Sequence, residues 1–107
     1  MSKTNAKEEF LQHTAGKQVK CANLLYGDEY GLHGDERRKY ILKADYNKID
    51  FENFLSYLDF CYDSGYGGQE LFGTIWYTNG TWSERGEYDG AEWWVHREVP
   101  EIPEELK

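Results

Sequence analysis

From Leu71 to Val99 large apolar and polar residues alternate, and the alternation breaks twice, at Asn79-Gly80 and at Asp89-Gly90. Both dipeptides tolerate the φ > 0 that a type I′ turn needs at its two central positions. Strand-favouring residues flank each of them. The pattern predicts an antiparallel meander of three strands over 70–78, 81–88 and 91–98. A two-residue turn at Asn79-Gly80 pairs Tyr77 with Trp82 and Trp76 with Ser83. It puts Ile75, Tyr77 and Trp82 on one face and Phe72, Thr74 and Trp76 on the other. A two-residue turn at Asp89-Gly90 sets Glu87 opposite Glu92. Like charges there are unfavourable. Either that turn is longer, or the two carboxylates share a cation from the protein, a partner or a metal.

The rest of the chain supplies the layer that the meander packs on. Asn5 and Glu8 have capping-box spacing, Ala6 and Phe10 share one side, and Gly16 follows, so a helix runs over about 5–14 after a frayed start at 1–4. His13 reads as a helix-end histidine favoured by the C-terminal dipole. Alternation over 18–26 and the run at 38–44 predict two strands joined by the long 27–37 loop. Phe51, Phe54, Leu55 and Leu58 fall at i, i+3, i+4 and i+7, an amphipathic helix over about 51–60 capped by Asp50 and ended by Cys61 and Tyr62. The glycines of 62–73 match neither phosphate-loop pattern and lead from a helix into a strand; they predict a compact turn with Tyr66 packed over it. Pro100 and Pro103 predict an extended tail over 100–107 with its carboxylates in solvent. The sum is one α+β domain over 1–107, ordered αββαβββ, with an antiparallel sheet, a C-terminal three-stranded meander and the second helix packed on it.

Charge narrows the function classes. The 107 residues carry 20 Asp plus Glu against 12 Lys plus Arg, a formal net charge of −8. Such a surface repels nucleic acid and suits a basic protein partner, or plain solubility. The two cysteines, Cys21 and Cys61, form no CxxC and sit among apolar neighbours, as buried thiols of a reducing cytoplasm do. The polar start and the lack of a long apolar run predict a cytoplasmic protein without a membrane span. No Ser–His–Asp order, glycine elbow, HExxH or kinase-type set occurs. The expectation is a protein that is not an enzyme and needs no cofactor or metal. The alternatives are a small enzyme using carboxylates such as Glu87 and Glu92 or His96, and a virion assembly protein.

The segments YDSGYGGQELFGTIWYTNGTWSERGEYDGAEWW and PEIPEEL resemble the C-terminal halves of small proteins encoded by bacteriophages and prophages, over roughly residues 54–106. The resemblance brings no catalytic residue with it. By size and acidity it implies an inhibitor of host defence, of which anti-CRISPR proteins are examples. The implied partner is a host protein with a basic, nucleic-acid-binding surface, such as a CRISPR effector, met in the bacterial cytoplasm. No direct nucleic acid or membrane binding is expected, and the chain acts as a monomer or homodimer. Carboxylates lie densest beside aromatics on the 81–92 hairpin. The expected protein-binding residues are therefore Trp82, Glu84, Glu87, Asp89, Glu92 and Trp93, with Trp82 or Trp93 as the apolar anchor. The 27–37 loop is the next candidate.

Overall fold

A computed structural model of the chain describes residues 3–27, 38–63, 70–88 and 91–106. The expected tight turn with Tyr66, the body of the loop at 28–37 with His33, and Asp89-Gly90 itself lie outside the described residues.

Polar side chains at the helix starts decide where the helices begin. Asn5 Oδ1 accepts the Glu8 N–H at 3.0 Å and opens helix α1, Ala6–Thr14. Its inner side buries Ala6, Phe10 and Thr14. Helix α2 is Lys48–Tyr57, three residues earlier than the spacing suggests. The cap is Asn47, not Asp50. Asn47 Oδ1 accepts from the Asp50 N–H at 2.8 Å, and the Asp50 carboxylate accepts from the Asn47 N–H at 3.1 Å. Asp50 is thus the far half of a capping box. The apolar stripe packs as expected: Phe54 and Leu58 are buried, and Phe51 and Leu55 lie against the core.

Two short strands were not legible. Lys3–Asn5 (β1) pairs antiparallel with Cys61–Asp63 (β4), and the Ala6 N–H continues the ladder to the Phe60 carbonyl at 2.9 Å. Lys3 and Thr4 are therefore strand residues, not a frayed end. Cys61 and Tyr62 begin a strand instead of closing a helix.

The main sheet has five antiparallel strands. They are β2 (Val19–Tyr26), β3 (Arg38–Leu42), β5 (Leu71–Tyr77), β6 (Trp82–Tyr88) and β7 (Ala91–Arg97), in the spatial order β3-β2-β5-β6-β7. The fold is α+β, as the pattern predicts. Both helices lie on one face, joined by an edge-on contact of Phe10 and Phe54 with ring centroids 5.5 Å apart. The core beneath them takes alternate residues of each strand, among them Ala22, Leu24, Tyr40, Leu42, Leu71, Ile75, Tyr77 and Trp94. Among the described residues no helix is long and apolar enough to cross a membrane.

The first hairpin differs from expectation by one residue, with large effect. Trp76 lies opposite Trp82 and Ile75 opposite Ser83. The Tyr77 N–H donates to the Thr81 carbonyl at 2.9 Å, so Thr78, Asn79 and Gly80 form a three-residue loop. Gly80 supplies the left-handed residue that such a loop requires, at φ +88°. A one-residue slip turns every β6 side chain to the other face. Ser83 therefore points into the core and Trp82 points out. The second hairpin keeps the drawn register, with Tyr88 opposite Ala91 and Glu87 opposite Glu92.

Two local devices on β2 and β5 complete the sheet. Between Val19 and Cys21 the pairing to β5 gains a residue, a bulge at Lys20 that keeps Val19 inward and turns Cys21 outward. At Gly73, φ is +149° and the backbone of β2 comes very close: a Cβ there would meet Leu24 Cα at 2.9 Å and the Asn23 carbonyl oxygen closer still. The cysteines are not the buried thiols that their apolar neighbours suggest. Both are free thiols, Cys21 half-buried on the outer side of the sheet and Cys61 exposed.

Candidate functional site

Alternation in the strands gives the sheet two unlike faces. The inner one is covered by the helices. Among the described residues no element covers the outer one. Through the observed registers it gathers Trp76, Trp82, Tyr88 and Trp93 with Phe72, Val95 and Ile41. Trp76 and Trp93 are each 43% exposed and Tyr88 is 77% exposed. Five strands about 4.8 Å apart and seven residues of about 3.3 Å each make a platform on the order of 450 Å² in projection. Asn23, Thr74, Lys39, Glu84 and Arg97 share that area with the rings, so the face is an aromatic row set among polar side chains.

Cross-strand packing holds these rings in place. Trp93 lies directly opposite Gly86, and a Cβ at Gly86 would meet Trp93 Nε1 and Val95 Cγ2, both at 2.9 Å. The indole folds over the bare glycine and covers the strand there. Trp82 Nε1 donates to Glu84 Oε1 at 2.8 Å, which fixes that ring beside Trp76. The tryptophans are thus oriented in advance, which lowers the ordering cost of binding.

The expected binding residues separate. Trp82, Glu84 and Trp93 share the open face. Glu87 is exposed but alternates to the helix side. Asp89 lies outside the described residues. Glu92 was expected at an interface, and instead its side chain is 0% exposed, against Arg85 at 2%. Sequence reasoning missed Trp76 and Tyr88, because the one-residue slip hid which β6 side chains join Trp76 on its face. Lys39, Glu84 and Arg97 bring charge of both signs to that face, so its chemistry is aromatic before it is acidic.

The inner polar residues explain why Glu92 is taken. Arg85 Nη2 donates to Glu92 Oε1 and to the Tyr62 hydroxyl, each at 2.8 Å. Its Nη1 donates to Glu9 Oε1 at 3.2 Å and its Nε to the Leu71 carbonyl at 3.3 Å. Glu92 also accepts the backbone N–H of Glu70 at 2.8 Å and of Leu71 at 3.0 Å. The Tyr62 hydroxyl donates to Glu9. The guanidinium lies 4.9 Å from the Trp94 ring centroid, a cation–π contact. Burial works against the Arg85 charge, but Glu9, Tyr62 and Glu92 outweigh it and raise its pKa. The Tyr62 hydroxyl is pushed well above its ordinary value by burial and then by its bond to Glu9. The arginine bridges Glu92 to Glu9 across the interior, whereas Glu87, which faces Glu92 in the ladder, is exposed.

Ser83 Oγ sits 2.7 Å from both His13 Nε2 and the Tyr77 hydroxyl. The pairing of a serine with a histidine is what a nucleophile needs. Ser83 is, however, fully buried, and its hydroxyl bridges α1 to β5. Burial foremost, then the charges of Lys17, His96 and Arg85, lowers the His13 pKa. His96 packs its ring 5.5 Å from Tyr77. It stands four residues from Glu92, about 13 Å along an extended strand, too far for the two to act on one proton. Among the described residues no three His, Cys, Asp or Glu side chains gather to hold a metal.

Compared with known proteins, the chain matches no family model, no curated protein and no solved structure.

Proposed function

We propose that this chain acts by binding a host protein through the open face of its sheet, and that the captured protein is a nucleic-acid-handling defence complex, such as a CRISPR effector, which it inhibits. The single observation that carries the binding role is the uncovered row of oriented aromatics, Trp76, Trp82, Tyr88 and Trp93. Buried tryptophan and tyrosine anchors supply most of the affinity in protein interfaces. The platform is smaller than the roughly 800 Å² per partner of a standard interface, so the hairpin end at Tyr88 and the surrounding rim join in. The net charge of −8 supports a basic partner, whose approach it speeds and orients. The resemblance to phage-encoded proteins supports the inhibitory role. The reading assigns the chain no catalytic step, cofactor or metal.

The test is affinity capture from a bacterial lysate with the native chain and with Trp76→Ala/Trp93→Ala side by side. The expected result is a nucleic-acid-binding protein retained by the native chain alone, with both proteins folded by circular dichroism. If no protein distinguishes the two baits, the reading fails.

A further inference from the structure

Strand β2 pairs with one side of β3, and among the described residues no strand pairs with the other. An edge of this kind is a row of backbone N–H and C=O groups, a template for a further strand. Apolar side chains flank it on both faces. Ile41 lies on the outer face. On the inner face Asn53 and Tyr57 of α2 line an open groove of about 890 Å³ beside the strand, and Ile49 extends their row at i, i+4 and i+8. Ile41, Ile49 and Tyr57 are each 60% or more exposed.

Charge separates this edge from the opposite one. Each copy carries −8, so two copies repel unless they meet where the local balance is not acidic. Around β3, Arg38, Lys39 and Lys43 stand against Asp45 and Asp50, close to neutrality. The β7 edge runs on into Glu98, Glu101, Glu104 and Glu105, and Pro100 has no N–H to offer a ladder. Register then favours β3 as its own partner. An antiparallel copy overlaps all of Arg38–Leu42 only when Tyr40 faces Tyr40. Ile41 then lies opposite Lys39 of the second copy, and Leu42 opposite its Arg38. Edge lysines ordinarily discourage pairing, but in this register each cation faces an aliphatic side chain. Centring on Lys39 or on Ile41 instead sets Lys39 against Lys39 or against Lys43, which is unfavourable.

We propose that two copies join edge to edge through β3, antiparallel and centred on Tyr40, so that two five-stranded sheets become one of ten strands. The twofold axis of such a pair stands perpendicular to the sheet, and both outer faces come to the same side. Two platforms of about 450 Å² each then reach the roughly 800 Å² per partner of a standard interface. That consequence rests on the proposed host-binding role; the pairing does not.

Sedimentation velocity of the purified full chain across the micromolar range tests it, beside Ile41→Lys and Lys39→Glu/Ile41→Lys. Both positions are exposed on the outer face, so the fold is kept, as circular dichroism checks. The native chain should pass from monomer to dimer and no further, because pairing uses up the edge. Ile41→Lys sets a lysine directly opposite Lys39 at two symmetric places and should weaken the dimer by about tenfold or more. The double variant gives the same two pairs opposite charges and should bring the dimer back. A native chain that is monomeric throughout overturns the proposal. So does association that Ile41→Lys leaves unchanged, or that the double variant fails to recover. No host protein is present in this experiment, so its failure leaves the host-binding reading standing, and failed capture from a lysate leaves the dimer standing.

Discussion

Arg85 and Glu92 meet at 2.8 Å as diagonal neighbours across the β6–β7 hairpin, both side chains closed off from solvent. Removing one member of such a pair strands the other charge in the interior, a loss of about 3–5 kcal/mol. Arg85→Met strands both Glu92 and Glu9. Urea denaturation at neutral pH should show a loss in that range. A loss below about 1 kcal/mol would mean that the cluster contributes little beyond replaceable packing.

The histidine of α1 makes the fold acid-sensitive. Burial lowers the His13 pKa in the folded protein, so below the ordinary value of 6.5 the unfolded chain takes up a proton that the folded one resists. Stability should therefore be whole above that pH and fall as the pH drops from 6.5 toward the lowered folded value. Denaturation midpoints measured from pH 7.5 to 5 should decline less steeply for His13→Gln than for the native chain. Parallel slopes would remove His13 from the acid response.

Gly73 is the least replaceable position of the sheet. Alanine there adds a left-handed strain to a collision with the Leu24 backbone at 2.9 Å. Overpacking and strain together should cost about 3 kcal/mol or more. Thermal denaturation of Gly73→Ala, set beside Gly16→Ala, isolates the collision: Gly16 also has positive φ, at +78°, but open space around it.

On the outer face, stability and binding should part company. Tyr88→Ser replaces an exposed side chain and should change stability by no more than about 0.5 kcal/mol, while Trp76→Ser also loses the cross-strand pair with Trp82 and should cost about 1 kcal/mol. Each should weaken capture of the partner by a factor of about 30, the loss of an interface anchor of about 2 kcal/mol. Glu87→Lys, on the helix side, should alter only the association rate and its salt dependence. Surface plasmon resonance against the captured partner measures all three.

Much of this architecture is written locally, and what is not local stays hidden. The stripe Phe51, Phe54, Leu55 and Leu58 and both hairpin dipeptides are read directly, because period and turn chemistry act over a few residues. The Asp50 cap was misplaced since a capping box contains two residues of cap chemistry and Asn47 is the other. The first hairpin slipped because Asn79-Gly80 serves a two-residue loop and also, with Gly80 left-handed, a three-residue one. That single residue turned Trp82 from the face of Ile75 and Tyr77 to the face of Trp76. The strands at Lys3 and Cys61 are three residues long and show no period. The Arg85 cluster draws Glu9 from 76 residues away. The facing pair Glu87 and Glu92 did not reveal it, since Glu92 meets Arg85 while Glu87 is exposed.

The slip that left Trp82 beside Trp76 also gives the molecule two separate optical reporters. Trp76, Trp82 and Trp93 look outward, while Trp94 lies inside against the Arg85 guanidinium and the His13 ring. Emission from the outer three responds to whatever covers the sheet, and emission from the inner one responds to loss of the core. A partner that settles on the face and a denaturant that opens the fold therefore write different spectra, and no label has to be attached to tell them apart.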